Sequence, residues 1–425
     1  MLSEDLPVKA LTASETGDRW YSAPAAAKME RLLGKKPSVA PLIDLGRHLP
    51  VLDGLRGVAI LMVMLFHFFV GAGGVDAIAA SSTVLGSQLS KFISFGTRGV
   101  DLFFVLSGFL ITGILIDTKE SPNFFRNFYA RRFLRIFPLY YGVLVGIFLV
   151  LPLFSPGLHT PLVAQLWYWF YASNLVFPIP NQQLGVPDVF AIHHFWSLAI
   201  EEQFYLVWPL MVFFTNRKIV IRATIGCLLL APLTRIVLLM TGHDEYVFSF
   251  TLSRLDPIAV GALLAVVLRS PTARTRLGKA VPWCLVGAAI AAVVLIVLPR
   301  RMELPPVVVV RYSVFAALFG SLLAYILLFG NGVLGWCFRS RILQFFGKYS
   351  YGLYVFHLLF LPFFLQRTPL EPLSRAMHSE ILGLVARIAI LTGASTLIAV
   401  ASYHLYEKHF LRLKRYFASP RLTSR

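Results

Sequence analysis

Residues 52–69 read LDGLRGVAILMVMLFHFF, an almost unbroken apolar run that contains Asp53, Arg56 and His67. A helix needs about 20 apolar residues to cross the hydrocarbon core of a bilayer. Charged side chains make up 14% of the 425 residues and the mean hydropathy is +0.71, whereas a soluble globular protein carries about 25% charged residues. Because a soluble helix needs a polar face, the sequence predicts an all-α integral membrane protein.

Hydropathy predicts about ten transmembrane helices, at 55–72, 96–117, 137–153, 195–214, 219–240, 250–268, 280–298, 307–330, 349–366 and 382–405. An eleventh apolar segment, 162–178, is rich in aromatic residues. If it does not cross, the segments on one side contain 28 Lys and Arg residues and the opposite loops contain five. Cytoplasmic loops carry the excess of positive charge, so we expect both the N and C termini in the cytoplasm. Segment 162–178 is then expected to be re-entrant or interfacial and to lie on the outer face.

The basic residues lie in short segments between apolar spans, so topology accounts for the net charge of +18. Membrane lipids are therefore expected partners and nucleic acid is not. The three cysteines have no metal-binding spacing, and no metal site is predicted. The sequence divides into a cytoplasmic polar tail (1–46), a transmembrane domain (47–410) and a basic cytoplasmic tail (411–425).

Ionisable residues inside the predicted spans are candidates for function, because each costs about 2.5–3.5 kcal/mol to insert. Arg56 and His67 are eleven residues apart, which returns to within about 20° of the same helix face, about 16 Å along the axis. Asp53 lies on nearly the same face. The alternative for His67 is a core histidine bonded to a carbonyl group.

Three further spans carry such residues near their outer ends. Ser197, Glu201 and Tyr205 follow i, i+4, i+8 spacing and share one helix face, whereas Glu202 points elsewhere. Asp101 opens the span at 96–117. Arg254 and Asp256 open the span at 250–268, where a structural ion pair and a catalytic role are both open.

His67, Glu201 and Asp101 are predicted at a similar depth in the outer half of the membrane, from a rise of about 1.5 Å per residue. An imidazole can remove a proton from a hydroxyl group, and a carboxylate can orient and stabilise it. These three residues are therefore candidates for catalysis on a hydroxyl group. A proton relay in a transporter would use the same residue types.

A basic aromatic segment, NFFRNFYARRFLRIFPLYY, occupies residues 123–141. Arg131, Arg132 and Arg135 are three or four residues apart and share a helix surface. Guanidinium groups suit bidentate contacts with phosphate. Ordinary positive-inside charge with lipid headgroup contacts is the alternative.

Six ordered motifs together resemble the acyltransferase-3 family of integral membrane O-acyltransferases. They are LDGLRGVAILMVMLFH (52–67), GVDLFFVLSGFLIT (99–112), RRFLRIFPLYY (131–141), WSLAIEEQFYLVWP (196–209), RLDPIAVGALLA (254–265) and GKYSYGLYVFHLL (347–359). The resemblance implies a ten-helix enzyme of the inner, cytoplasmic membrane. Such an enzyme would transfer an acyl group, usually acetyl, from cytoplasmic acyl-CoA as co-substrate, with no bound cofactor. The implied acceptors are extracytoplasmic glycans such as lipopolysaccharide, exopolysaccharide or peptidoglycan.

The family's motifs fall on particular residues of this sequence. Its arginine-to-histidine motif matches Arg56 and His67, its Arg-x-x-Arg motif matches Arg132 and Arg135, and its glutamate falls on Glu201. A late motif matches Ser350, Tyr351, Tyr354 and His357. We expect His67 to act as general base, with Glu201 and Asp101 assisting, and Arg56, Arg131, Arg132 and Arg135 to hold acyl-CoA. The predicted supporting residues are Asp53, Ser197, Tyr205, Arg254, Asp256, Tyr351 and His357. The alternative function is a proton-coupled exporter or flippase.

Overall fold

The computed structural model describes residues 49–74, 84–187, 191–298, 304–330 and 332–417. All regular structure in these ranges is helical, which confirms the predicted all-α fold. The ten long helices, α1 to α10 in chain order, are Pro50–Gly71, Gly99–Thr118, Phe124–Val145, Trp196–Phe214, Arg217–Met240, Leu255–Val267, Pro271–Val297, Pro305–Phe329, Arg341–Leu359 and Glu380–Ser402.

Short helical elements connect the long helices. The α-helical ones are Val84–Ser94, Leu151–Phe154, Leu162–Trp169, Ser173–Val176, Asn181–Leu184, Val333–Phe338, Leu361–Arg367, Leu370–Ala376 and Lys408–Arg412. The 3-10 helices are Phe95–Arg98, Pro156–Leu158, His193–Phe195, Asp244–Val247, Leu252–Arg254 and Leu413–Phe417, and the π-helices are Gly146–Val150 and Tyr403–Glu407.

Within the described ranges, seven helical stretches are long and apolar enough to cross a membrane, so the protein is a multi-pass membrane protein. They are Pro50–Gly71, Ser90–Thr118, Phe124–Phe154, Arg217–Met240, Pro271–Val297, Pro305–Phe329 and Glu380–Phe417. Helices α4 and α9 carry polar motif residues, which lower their hydropathy. Helix α6, with 13 residues, is about 20 Å long. The count of ten crossings and the cytoplasmic position of both termini stay predictions.

Glycines let α2 and α6 cross with their backbones in contact. A Cβ atom at Gly108 would lie 2.0 Å from the carbonyl oxygen of Ile258, and one at Gly261 would lie 2.0 Å from that of Val105. Small residues permit this close packing of membrane helices. This close approach fixes α2 against α6.

The aromatic segment 162–178 does not form one long helix. It contains the helices Leu162–Trp169 and Ser173–Val176, separated at Tyr171, which has a positive φ of 52°. Eight helical residues extend only about 12 Å, so the segment does not cross the membrane as a helix. Tyr140 and Tyr141 of α3 donate hydrogen bonds to the carbonyl oxygens of Tyr168 and Trp169, at 2.8 and 2.9 Å.

The chain after α10 stays helical and packs against α3. The Tyr406 hydroxyl donates a 3.1 Å hydrogen bond to the carbonyl oxygen of Pro138, and the Arg126 guanidinium lies 5.6 Å from the centre of the Phe417 ring. We call residues 403–417 the C-terminal segment. The predicted tail at 1–46 lies outside the described residues, as does 418–425 of the predicted basic tail.

We expect Gly261→Ala to destabilise the protein and Gly287→Ala to leave it as stable or more so. The new methyl group at Gly261 would overlap the Val105 carbonyl, whereas nothing lies within 4 Å of a Cβ atom at Gly287. Overpacking costs about 1–3 kcal/mol, while alanine is favoured over glycine in a helix by about 1 kcal/mol. Thermal unfolding of the two detergent-purified variants measures the difference. An equal midpoint for both would contradict the tight crossing.

Candidate active site

A basic cavity of about 190 Å³ lies between α1, α2, α3 and the C-terminal segment. Its lining combines five cations with three apolar side chains: Arg56, Arg131, Arg132, Arg135, Lys414, Leu110, Ile114 and Phe128. The structure thus brings together all four arginines that the sequence predicts for acyl-CoA binding. Arg56 also forms a 2.8 Å ion pair with Asp53, one turn earlier on α1.

A second, more apolar cavity of about 110 Å³ adjoins the basic cavity. The two share Arg56, Leu110, Arg132 and Arg135 in their linings. The second cavity is further lined by α2, α4 and α9, through residues that include Ser107, Ser197, Glu201, Tyr205, Ser350, Tyr351 and Tyr354. A ligand whose anionic end lies among the arginines could therefore place its other end among hydroxyl groups.

Glu201 lies in this second cavity together with Ser197 and Tyr205, the face that their spacing predicts. The hydroxyl groups of Ser107 and Tyr205 lie beside the Glu201 carboxylate, and their oxygens are 2.5 Å apart. The Arg132 guanidinium lies 4.4 Å from the centre of the Tyr205 ring, a cation–π contact. Arg132 therefore links the basic cavity to the Glu201 group.

Three histidines from three parts of the chain meet near one end of this cavity. His67 lies on α1, His357 on α9 and His194 in the turn before α4. The ring centres are 5.1 Å apart for His67 and His357, and 5.0 Å apart for His194 and His357. We call these residues the histidine cluster.

Backbone carbonyl groups determine which nitrogen of each imidazole ring carries the hydrogen. The Nδ1 atom of His67 lies 2.9 Å from the oxygen of Val63, that of His194 lies 3.1 Å from Ala191, and that of His357 lies 2.8 Å from Tyr354. A nitrogen facing a carbonyl oxygen must donate, so each neutral ring carries its hydrogen on Nδ1. The Nε2 atom of each ring then holds a lone pair. The carbonyl contact that the sequence allowed for His67 exists and leaves its basic nitrogen available.

His357 supports His67 directly. Its Nε2 atom lies 3.2 Å from Nδ1 of His67. It can accept a hydrogen bond from the Nδ1–H group of His67, which that group shares with the carbonyl oxygen of Val63. If His67 gains a proton on Nε2, the Nδ1–H group becomes a stronger donor, and the lone pair of His357 stabilises the charge. This is the orienting task that a carboxylate performs in a catalytic triad.

Tyr354 and Ser197 separate the second cavity from the histidine cluster. Their hydroxyl oxygens lie 2.5 Å apart, and Tyr354 donates a 2.9 Å hydrogen bond to the carbonyl oxygen of His194. Both residues line the cavity, whereas His67 lines neither of the two cavities. Tyr351, also in the lining, donates to the carbonyl oxygen of Ile136 at 2.7 Å and so fixes α9 against α3.

Asp101 is engaged by arginines. It is fully buried, and its carboxylate lies 2.6 Å from the Arg254 guanidinium and 3.6 Å from that of Arg98. The sequence predicts Asp101 as an acid that assists His67, and that role stays a prediction. The contacts described here connect α2 to the start of α6.

The prediction of an ion pair between Arg254 and Asp256 is wrong, because each residue pairs with a different partner. Asp256 instead receives two hydrogen bonds from Arg235 of α5, at 3.2 and 3.0 Å, and one from Ser313 at 2.8 Å. Arg235 is fully buried. Two residues apart in sequence, Arg254 and Asp256 point to different neighbours, and each forms its ion pair with another helix.

Sequence reasoning missed His194 and Lys414 as site residues. His194 precedes a recognised motif, in the pair His193–His194, and only the fold shows which imidazole faces His357. Lys414 lies in a run of basic residues that resembles ordinary cytoplasmic charge, so the sequence contains no signal that it reaches a cavity.

A family described as Acyltransferase domain matches residues 49–404. The chain belongs to this acyltransferase family. The match spans all six motifs and both cavities apart from Lys414.

Several curated relatives resemble the chain. OatA of Listeria monocytogenes, named as a peptidoglycan O-acetyltransferase, is 30% identical over 329 residues, which is 73% of this chain and 49% of OatA. YrhL of Bacillus subtilis is 28% identical over 379 residues, 85% of this chain and 55% of YrhL. The O-acetyltransferase OatA of Staphylococcus aureus is 31% identical over 238 residues, 52% of this chain and 35% of OatA. The chain thus spans about half or less of the length of these relatives. No solved structure matches the chain significantly.

We expect Asp101→Asn to lower the stability of the protein. Removing one partner of a buried ion pair costs about 3–5 kcal/mol, because the other charge is left uncompensated. Fluorescence-detected size exclusion of heated samples measures the loss, and Glu371→Gln, in an exposed ion pair with Arg375, serves as control. An Asp101→Asn variant with wild-type stability and no activity would instead assign Asp101 a purely chemical role.

Proposed function

We propose that this chain is an O-acyltransferase of the cytoplasmic membrane, which moves an acetyl group from acyl-CoA to a hydroxyl of an extracytoplasmic glycan. The single observation that carries the proposal is the adjacency of the basic cavity, the Glu201 cavity and the histidine cluster. Membership of the acyltransferase family and the names of the relatives support the same reaction class.

The donor would enter at the basic cavity. Coenzyme A carries several phosphate groups on a long, flexible arm that ends in the thioester. Guanidinium groups bind phosphate with two parallel hydrogen bonds, and the basic cavity presents four of them. The arm would then extend past Arg132 into the second cavity, where the hydroxyl groups of Ser107 and Tyr205 surround the Glu201 carboxylate.

The acceptor hydroxyl would meet the histidine cluster, and the thioester would pass Tyr354 and Ser197 to reach it. The Nε2 atom of His67 removes the hydroxyl proton as the oxygen attacks the thioester carbonyl carbon. A carbon–oxygen bond forms, the carbon–sulfur bond breaks, and coenzyme A leaves as a thiolate that takes the proton back from His67. The products are an acetyl ester on the glycan and coenzyme A with a free thiol. His357 stabilises the protonated His67 during this step.

The names of the relatives support one class of acceptor. Because one relative is named as a peptidoglycan O-acetyltransferase, a cell-wall glycan is the first acceptor to test. Lipopolysaccharide and exopolysaccharide are the other glycans that the family resemblance implies. An exporter or flippase would need paired halves with broken helices, and the sequence contains no internal repeat of that kind.

We expect His67→Ala to abolish glycan acetylation in cells. General acid–base catalysis contributes about 10²–10⁴-fold to rate, so O-acetyl content measured by NMR of purified glycan should fall to the level of a deletion strain. His243→Ala is the matched control, because its imidazole is exposed and its ring nitrogen contacts the nearby Thr241 hydroxyl. Normal acetylation by His67→Ala at equal protein levels would eliminate the assignment.

We expect the purified wild-type protein to release one thiol for each acetyl ester formed when acetyl-CoA and a soluble glycan fragment are supplied. Arg135→Gln should raise the KM for acetyl-CoA about tenfold or more, as loss of one charged hydrogen bond implies, with a smaller change in kcat. Thiol release is read with a thiol-reactive dye and ester formation by mass spectrometry. An exporter would release no thiol from acetyl-CoA under any of these conditions.

A further inference from the structure

Lys414 reaches the basic cavity from a part of the chain that follows the family match. The match ends at residue 404, and Lys414 belongs to the 3-10 helix Leu413–Phe417. The C-terminal segment returns to α3 through the contacts of Tyr406 and Phe417 described above. This return brings Lys414 to the cavity that Arg131, Arg132 and Arg135 line.

Lys414 differs from its basic neighbours in position. Arg412 and Arg415 are exposed, whereas Lys414 is partly buried. Arg415 contacts the hydroxyl of Tyr416 at 2.7 Å and is not among the residues that line the basic cavity. Interfacial charge for lipid headgroups requires exposure to the membrane surface, and a lysine directed into a cavity points to a ligand inside it.

The charge of the basic cavity also calls for an anion. Five of its eight lining residues are cationic and none is a carboxylate. Like charges held together in a partly buried space repel one another, and a bound polyanion relieves this repulsion. One phosphate cannot contact five separated cations well, whereas a ligand with several phosphates can.

We propose that Lys414 binds a phosphate group of the acyl-CoA donor, and that the C-terminal segment forms one wall of the donor site. This inference rests on the proposed function and adds a residue outside the region that the family match covers. The lysine ammonium group acts as a point charge with three donors, beside guanidinium forks that bind further phosphate oxygens.

The test compares donors that differ in phosphate. Full-length protein in discs of zwitterionic lipid is assayed with acetyl-CoA, acetyl-dephospho-CoA and acetyl-pantetheine, which has no phosphate. We expect Lys414→Ala to raise the KM for acetyl-CoA about tenfold, equivalent to about 1.4 kcal/mol, with kcat nearly unchanged because the contact is uniform through the reaction. The KM for acetyl-pantetheine should be the same in both proteins.

Matched variants keep the result interpretable. Lys414→Arg retains the charge and should stay near wild type, and Arg415→Ala removes an adjacent exposed charge and should have no effect. If Lys414→Ala does not fold, Lys414→Gln, which is neutral and closer in length, gives the same comparison. Acetyl-dephospho-CoA identifies the phosphate: if its KM is unaffected by Lys414→Ala, Lys414 contacts the 3′-phosphate, and if its KM rises equally, Lys414 contacts the pyrophosphate.

Two outcomes overturn the inference. An unchanged KM for acetyl-CoA, or an equal rise for acetyl-pantetheine, means that Lys414 does not bind donor phosphate. An effect of Lys414→Ala on thermal stability that appears only in discs with anionic lipid, with unchanged KM, assigns the lysine to a lipid headgroup. If the proposed function itself is wrong, the result differs from both of these outcomes. The wild-type protein would then release no thiol from any of the three donors.

Discussion

The buried ion pair between Asp101 and Arg254 is the contact on which the arrangement of the site depends. Neither charge can reach water, so each must have its partner inside the helix bundle. The pair joins the start of α2 to the start of α6, and the glycine crossing at Gly108 and Gly261 continues the same contact along both helices. Helix α2 is thereby held at a fixed height and angle, and it carries Ser107 to the Glu201 carboxylate. The neighbouring pair of Arg235 and Asp256 fastens α6 to α5 in the same way. Both ion pairs at this end of the bundle therefore connect one helix to another.

The arginines at the other end of the site differ from these in their surroundings. Arg269 forms two hydrogen bonds with Asp117 and is a framework residue like Arg254. Arg131, Arg132 and Arg135 instead line a cavity without a carboxylate in its lining. The arginines of this protein thus have two kinds of surroundings. They differ in whether a carboxylate or a cavity lies next to the guanidinium group. Where a carboxylate from another helix completes the pair, the arginine stabilises the bundle. Where a cavity takes the place of the carboxylate, the arginine lines that cavity.

Hydroxyl groups form the boundary between the second cavity and the histidine cluster. Tyr354 and Ser197 stand between the cavity and the histidine cluster, and their hydrogen bonds reach the backbone that carries His194. The backbone carbonyl of Tyr354 also accepts the hydrogen bond of Nδ1 of His357. Apolar surroundings strengthen each of these polar contacts, because the local dielectric is low. The boundary is therefore a hydrogen-bonded connection between the second cavity and the residues His194 and His357.

The sequence by itself determined the features that depend on neighbouring residues. Helical spans follow from local hydropathy, the shared face of Ser197, Glu201 and Tyr205 follows from helical period, and the grouping of Arg131, Arg132 and Arg135 follows from their spacing. The six motifs also identified the family. Only the tertiary structure decided which partner each buried charge has, because Asp101 and Arg254 are 153 residues apart and no local rule pairs them. The same holds for His194 beside His357, and for Lys414 in the basic cavity. Helical period fixes the direction of a side chain relative to its own helix, and the packing of distant helices fixes what that side chain meets.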